Sequence, residues 1–544
     1  MVYHLIREDR KPIFPHTVWN SPTRRFTVLF GLYCRGKMPE DTGTTTPYHL
    51  LRANRHSTSD MSIKRHTIYN LFGNVSPMFV SLVTVPLYLH LIGADRYGVL
   101  AIVWLFLGYF GIFDPGITKA AEFHIARMHQ PNQSTERESV FWTALALNVA
   151  FGLVGGAVLY LIARPIFVST FKMPEALRQE VIVSLPWLAA SIPLSIGTGV
   201  LGGALQAREQ FGVYNAIRIF NITATQLAPL AVAYWHGPQL TWLIPTVLIA
   251  RTAGVIPATV ALVRILPLRG KGGFDRSLLK GLFSYGGWIT VTNILTPILT
   301  SLDRMLIGSL LSAEAVAFYT VPFNLVGRLS ALPASLENSI FPKLSRGDQE
   351  DSARLASDAV AALAAVMTPL AVLGIGALPI FMHYWVGLAF AKRAAPVGII
   401  LLIGVWINGL AFIPYGHLQA RGRPDVVAKF HAAEVIPFIA LLWLGLHYFG
   451  LIGAAYAWTL RATVDSILLF VVGGATPGWY RLIPGCFIVI VAALVSPTAI
   501  LSGKTLLECG VIALASAWSW TLSPIVRTLI RNGLTLTRTR TAIG

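Results

Sequence analysis

Charge is what this sequence has least of. Only 12% of its 544 residues are Asp, Glu, Lys or Arg, whereas 54% are hydrophobic and the mean hydropathy is +0.61. A water-soluble domain carries about 25% charged residues, so a soluble globular protein is excluded and a polytopic membrane protein is implied. Cysteine is scarce as well: Cys34, Cys486 and Cys509 are scattered, with no Cys-x-x-Cys pair. This gives no disulfide framework and no motive for a metal or redox centre, so neither metal nor cofactor is expected. The first sixty residues lack an apolar run followed by a small-residue cleavage site, so no signal peptide is read there. Catalytic signatures are missing too, with no His-Glu-x-x-His and no Ser/His/Asp set that can be placed together. Ser502-Gly503-Lys504-Thr505 resembles the end of a phosphate-binding loop, but Thr498 stands where its first glycine belongs and no strand precedes it. No enzymatic activity is expected.

What the chain has in abundance is apolar runs. The stretch Tyr69–Arg127 sets the pattern: one run over 68–92, a short hinge at Gly93-Ala94-Asp95-Arg96-Tyr97-Gly98, and a second run ending at Asp114-Pro115-Gly116. A hydrocarbon core of about 30 Å takes about 20 helical residues, so this reads as a transmembrane hairpin. Further spans are expected near 139–162, 181–203, 214–236, 240–264, 280–302, 306–328, 358–385, 396–418, 428–449, 452–473, 482–501 and 506–526. The total is about fourteen, all helical. The net charge of +18 invites a nucleic-acid reading, but most Lys and Arg fall in alternate loops. Positive-inside bias accounts for that pattern with both termini cytoplasmic, and nucleic acid is not an expected partner.

The chain divides by composition. Residues 1–60 are polar and rich in Pro, Thr and Arg, a disordered extension by composition, and Met61-Ser62-Ile63-Lys64-Arg65 offers an alternative start. A six-helix bundle is expected over 61–265, a basic glycine-containing linker over 266–279, a second bundle over 280–475, and two extra helices with a basic tail over 476–544. Leu205-Gln206-Ala207-Arg208 recurs as Leu418-Gln419-Ala420-Arg421 at a matching place in the span order. Six spans separate the copies, so both run the same way across the membrane, as in transporters built from parallel repeats.

The pattern Asn70…Pro86-Leu87-Tyr88…Gly93…Tyr97-Gly98…Asp114-Pro115-Gly116, joined by Leu205-Gln206-Ala207 and Asp303-Arg304…Ile307-Gly308, resembles the Wzx-type oligosaccharide flippases of bacterial polysaccharide export. That family shares a superfamily with multidrug and toxin extrusion antiporters and the lipid II flippase. The resemblance covers about 68–475. One departure is Asp114-Pro115-Gly116, where the family more usually has Leu between Asp and Gly. The resemblance implies a V-shaped pair of bundles in the inner membrane. It also implies alternating access for an undecaprenyl-pyrophosphate-linked repeat unit, with a polymerase and a chain-length regulator as pathway partners beside the membrane lipids.

A diphosphate-linked sugar crosses a membrane only in a wet, cationic cavity, and charges inside spans are functional candidates by default. The candidates for binding are Arg218, Arg251, Asp303, Arg304 and Arg328, since a guanidinium offers phosphate a planar, permanently charged fork. Snorkelling competes as an explanation for Arg218 and Arg328, and a local ion pair at the outer boundary competes for Asp303-Arg304. Asp114 and Lys119 are candidates for a gate at the inner mouth, and His431 and Glu434 for proton coupling. Arg461 and Asp465, four residues apart on one helix, are expected to neutralise each other. A cation-coupled multidrug exporter of the same fold is the alternative reading, though it would call for acidic residues deep in its cavity. A polysaccharide polymerase or ligase is a third, but no large outside loop is present to carry its chemistry.

Overall fold

The computed structural model describes residues 76–105, 113–128, 130, 133–266, 272–283, 301–346, 348–474, 477–502 and 505–522. The N-terminal extension, Met61, Asn70, most of the expected 280–302 span, the Gly503-Lys504 loop and the basic tail lie outside these. Every regular element among the described residues is helical, as the composition requires, because a chain in lipid must satisfy its backbone internally. Among the described residues nine segments are long and apolar enough to span a membrane, and two shorter apolar helices, Tyr480–Ser496 and Cys509–Leu522, follow them.

The first segment, α1 (Ser76–Leu105), is a hairpin. Gly93 has φ +77°, a left-handed conformation that breaks a helix and that glycine adopts without strain. A straight helix would separate Tyr88 from Trp104 by about 24 Å, yet their rings stand 5.3 Å apart. After the break at Asp114–Gly116 come α2 (Ile117–Arg127), α3 (Ser134–Pro165), α4 (Glu175–Ala207), α5 (Phe211–His236) and α6 (Leu240–Ile265). These pack on one another: α2 on α3 and α4, α3 on α4, α4 on α6, and α5 on α6. Small residues set the closest approach. A methyl on Gly152 would strike the Pro193 backbone, and one on Gly156 would meet the Ala189 carbonyl at 2.6 Å, so the Gly-x-x-x-Gly of α3 is a packing device.

The second group begins with α7 (301–310), turns at Leu311-Ser312, and continues as α8 (Ala313–Val326), α9 (Ala331–Arg346), α10 (Gln349–Val386) and α11 (Leu388–Ala420). The α7–α8 turn corrects the expected 306–328 span. Ser312 caps α8 by accepting from the Ala315 amide at 3.0 Å, so Asp303 and Arg304 sit two turns inside α7 rather than at its end. Next is α12 (Pro424–Gly473), whose arms fold back at Gly450 (φ 58°, ψ −138°). It packs along α11, and α13 (Trp479–Ser502) and α14 (Thr505–Leu522) lie against α10.

The repeated tetrapeptide ends α4 and α11 in the same way. Gln210 N–H bonds Leu205 C=O at 3.0 Å and Glu209 N–H bonds Gln206 C=O at 2.9 Å; Arg423 and Gly422 repeat both bonds, to Leu418 and Gln419, at the same lengths. At the opposite ends of these helices the two groups meet. Lys172 N–H donates to Gly308 C=O (3.0 Å), Ala313 N–H donates to Lys172 C=O (3.1 Å), and the Lys172 ammonium reaches Leu310 C=O at 2.6 Å. Gly98 of α1 lies directly on the Ala313 backbone, and Gly308 lies against the Phe171 ring. The core runs through both groups at this level, with Tyr88, Phe167, Phe171, Ile307 and Tyr319 all buried in it.

Candidate functional site

A cleft of about 350 Å³ opens among α2, α4, α5 and α6. Its polar lining is Asp114, Thr118, Ser195, Thr198, Tyr214, Asn221 and two of the expected arginines, Arg218 and Arg251. Helical periodicity explains the convergence. Ser191, Ser195, Thr198 and Gly202 on α4, and Tyr214, Arg218, Asn221 and Thr225 on α5, are spaced by three or four residues and so share one face of each helix. On α6, Arg251, Gly254 and Ala258 follow the same rule. Glycine keeps the floor open: a Cβ on Gly254 would fall on the Asn221 amide, and one on Gly202 would come 2.9 Å from the Tyr214 ring.

Arg251 is positioned from two sides. Its guanidinium donates to Ser195 Oγ, and its backbone carbonyl accepts from Asn221 Nδ2 at 3.4 Å. It lies 14 residues from the end of α6 on the Arg208 face, and Arg218 lies seven from the start of α5 on that face. At 1.5 Å per residue the two are offset by about 10 Å along the helices, which staggers two positive charges up one wall. Thr118 is held by Asn148, whose Nδ2 donates to its Oγ1 at 2.9 Å.

The other candidates go elsewhere. Arg328 lines a second cavity, about 340 Å³, between α1, α5 and α8, with Ser81, Gln226, Asn324, Tyr97, Trp104 and Trp385. It donates to Ser81 Oγ at 2.8 Å and to Asn324 C=O at 3.3 Å. Gln226, one turn beyond Ile222 of the first cleft, also accepts from Thr84 at 2.7 Å. Asp303 and Arg304 pair at 3.0 Å and are only 0% and 3% exposed. The Arg304 guanidinium lies 4.2 Å from the Phe323 ring centroid. This is the local ion pair that the sequence suggested, buried in the second group and not among the residues lining the cleft.

Asp114 and Lys119 each have another partner. Asp114 caps α2, accepting from Ile117 N–H at 2.8 Å, while Lys119 turns outward to Glu122 at 2.7 Å. A carboxylate beside the unpaired amides of a helix start is drawn to cap it. Nor do Arg461 and Asp465 neutralise each other. The fold of α12 at Gly450 sets Arg461 against Glu434 at 3.4 Å and His431 against Asp465 at 3.9 Å. Across a helical hairpin the facing arm is nearer than the next turn of the same arm.

Several residues of the cleft escaped the sequence reading: Thr118, Ser195, Thr198, Tyr214 and Asn221. The signal was there, since a polar stripe at helical spacing inside an apolar span has no lipid-facing rationale.

Fold and cleft together define an all-α integral membrane protein with a cationic, hydroxyl-lined recess among its helices. The sequence matches the family described as "Polysaccharide biosynthesis protein" over residues 63–348, a little over half of the 544 residues, and the chain belongs to that family. A Shigella flexneri protein named "Putative O-antigen transporter" is 28% identical over 410 residues, covering 75% of this chain and 97% of its own length. The teichuronic acid biosynthesis protein TuaB of Bacillus subtilis is 21% identical over 354 residues, covering 63% and 69%. Among solved structures, the lipid II flippase MurJ in an inward closed conformation superposes with TM-score 0.63 at 13% identity, covering 86% of this chain and 99% of that one. An inward-facing multidrug resistance MATE transporter gives 0.59 at 11% identity, covering 78% and 99%. At such identities these structures speak for the fold.

Proposed function

We propose that this protein flips an undecaprenyl-diphosphate-linked oligosaccharide repeat unit across the bacterial inner membrane for surface polysaccharide synthesis, as a transporter rather than an enzyme. The observation that carries this is the cleft among α4, α5 and α6, where Arg218 and Arg251 sit at two levels among hydroxyl and amide groups. Diphosphate needs fixed positive charge with hydrogen-bond donors, sugars need hydroxyl and amide partners, and both must be kept from hydrocarbon. The staggered arginines suit an anionic headgroup handed along a wall.

Two bundles, over 61–265 and 280–475, rock about the linker 266–279 in this reading. Support comes from the matching ends of α4 and α11, which are what two parallel repeats produce. With the Arg208 and Arg421 turns cytoplasmic, as their charge suggests, the Lys172 junction closes the outer face and the cleft awaits cargo from inside.

The test is binding of undecaprenyl diphosphate to the purified protein. Each charge-assisted contact contributes about 1.5–3 kcal/mol, so Arg251→Ala or Arg218→Ala should weaken binding about 10- to 150-fold. Arg251→Lys should recover only part, because an ammonium keeps the charge without the fork. A double alanine variant that binds like the unaltered protein would remove the cleft from the pathway.

A further inference from the structure

The hairpin of α12 buries more negative charge than its neighbours neutralise. Glu434 on the first arm and Asp465 on the second are 8% and 4% exposed, and the fold at Gly450 brings the two arms together here, with Arg461 of the second arm against Glu434 and His431 of the first against Asp465. One cation stands beside them: Arg461, 3.4 Å from Glu434. Glu434 Oε1 and Asp465 Oδ1 meet no hydrogen-bond donor among the described residues. Two ionised carboxylates and one guanidinium leave a net charge of minus one. Burying an uncompensated charge is strongly unfavourable, and paired carboxylates relieve it by sharing a proton.

We propose that Glu434 and Asp465 together hold one exchangeable proton, forming a neutral set with Arg461, and that His431 connects this proton to water. The proton bridges the two orphan oxygens and supplies the donor that both lack. His431 is placed for delivery because its side chain is one-third exposed while its Nε2 lies 3.9 Å from Asp465 Oδ1. In the transfer His431 first takes a proton from hydronium at Nδ1, leaving water; the Nε2–H bond of the imidazolium then breaks as an O–H bond forms at Asp465 Oδ1, and the neutral imidazole remains. Other helices bring few competing charges. On α11, Tyr415 stacks on His431 at 6.5 Å between centroids, with Glu337 of α9 beside it against Gly416. On α7, Asp303 and Arg304 already neutralise each other at 3.0 Å, next to Tyr319 of α8. Within the set of Glu434, Asp465 and Arg461 the charge count is closed by one proton. A site of this kind gives the protein a handle on the transmembrane pH difference, and it does not depend on the nature of the cargo.

The test is infrared difference spectroscopy on the full chain in lipid nanodiscs, between acidic and alkaline buffers. The expected result is a carbonyl-stretch band from a buried carboxylic acid that shifts in D₂O. The band should be lost in both Glu434→Gln and Asp465→Asn, and be equal in sodium and potassium buffers. His431→Gln should keep the band but slow its exchange with D₂O. Three outcomes overturn the proposal: no such band in the unaltered protein, which needs no variant to fold; a band surviving in both carboxamide variants; or a band abolished by sodium, which would make this a metal-cation site. Diphosphate binding at Arg251 is measured separately, so failure of one leaves the other standing.

Discussion

The contact of Gly98 with Ala313 offers a direct way to unbalance the two helix groups. A Cβ added at Gly98 would stand 2.8 Å from the Ala313 carbonyl carbon and closer still to its oxygen. The obstacle is backbone at the first residue of α8, so no rotamer change removes it. Forcing one methyl group into such a site costs about 1–3 kcal/mol. If the contact exists only while this face is closed, the whole cost falls on the closed state. At 1.4 kcal/mol per tenfold, Gly98→Ala then moves the open-to-closed ratio about 5- to 150-fold towards open. The assay is pulsed electron–electron distance measurement between nitroxides on Glu175→Cys and Lys392→Cys, both solvent-exposed positions of different groups. The three native cysteines are replaced first. The expected outcome is growth of a longer-distance population at the expense of the shorter one. An unchanged distribution in protein that stays folded, or a lower melting temperature with no change in distance, would refute the idea that this junction belongs to one state alone.

Two further outcomes concern stability. Glu180 accepts from Arg96 Nη2 at 2.6 Å, from Arg96 Nε at 3.2 Å and from the Leu240 amide at 2.8 Å; Glu180→Gln should lower stability by about 1–3 kcal/mol, seen as a lower melting temperature in detergent, and an unchanged melt would show the knot to be dispensable. Gly450→Ala places a side chain at φ 58°, ψ −138°, a conformation that costs an L-residue about 1–3 kcal/mol; a melt like that of the parent would mean the α12 turn relaxes freely.

The helical membrane architecture was legible from composition alone, because no other fold disposes of so much apolar surface with so little charge. The hairpin at Gly93 and the matched helix ends at Arg208 and Arg421 were legible too, since local chemistry decides both. Arg251 and Arg218, both candidates from the sequence, line the cleft; Arg251 had few interfacial alternatives, whereas snorkelling competed for Arg218. The partners of Asp114, Lys119 and Arg461 were not legible. Each is chosen by what lies across a helix interface, and spacing along one helix says nothing about that. Asp114 looked like half of a gate until the start of α2 claimed its carboxylate. Arg461 looked spoken for by Asp465 until the fold at Gly450 brought Glu434 nearer.

The Lys172 junction is fastened by peptide groups: two of its three hydrogen bonds run from amide to carbonyl, between Lys172 and residues 308 and 313. Main-chain donors and acceptors do not titrate, and they are present whatever side chains the sequence supplies. Two thirds of such a clasp is blind to acidity and tolerant of drift, and under the proposed alternating access its release would come as mechanical displacement of the helices it joins.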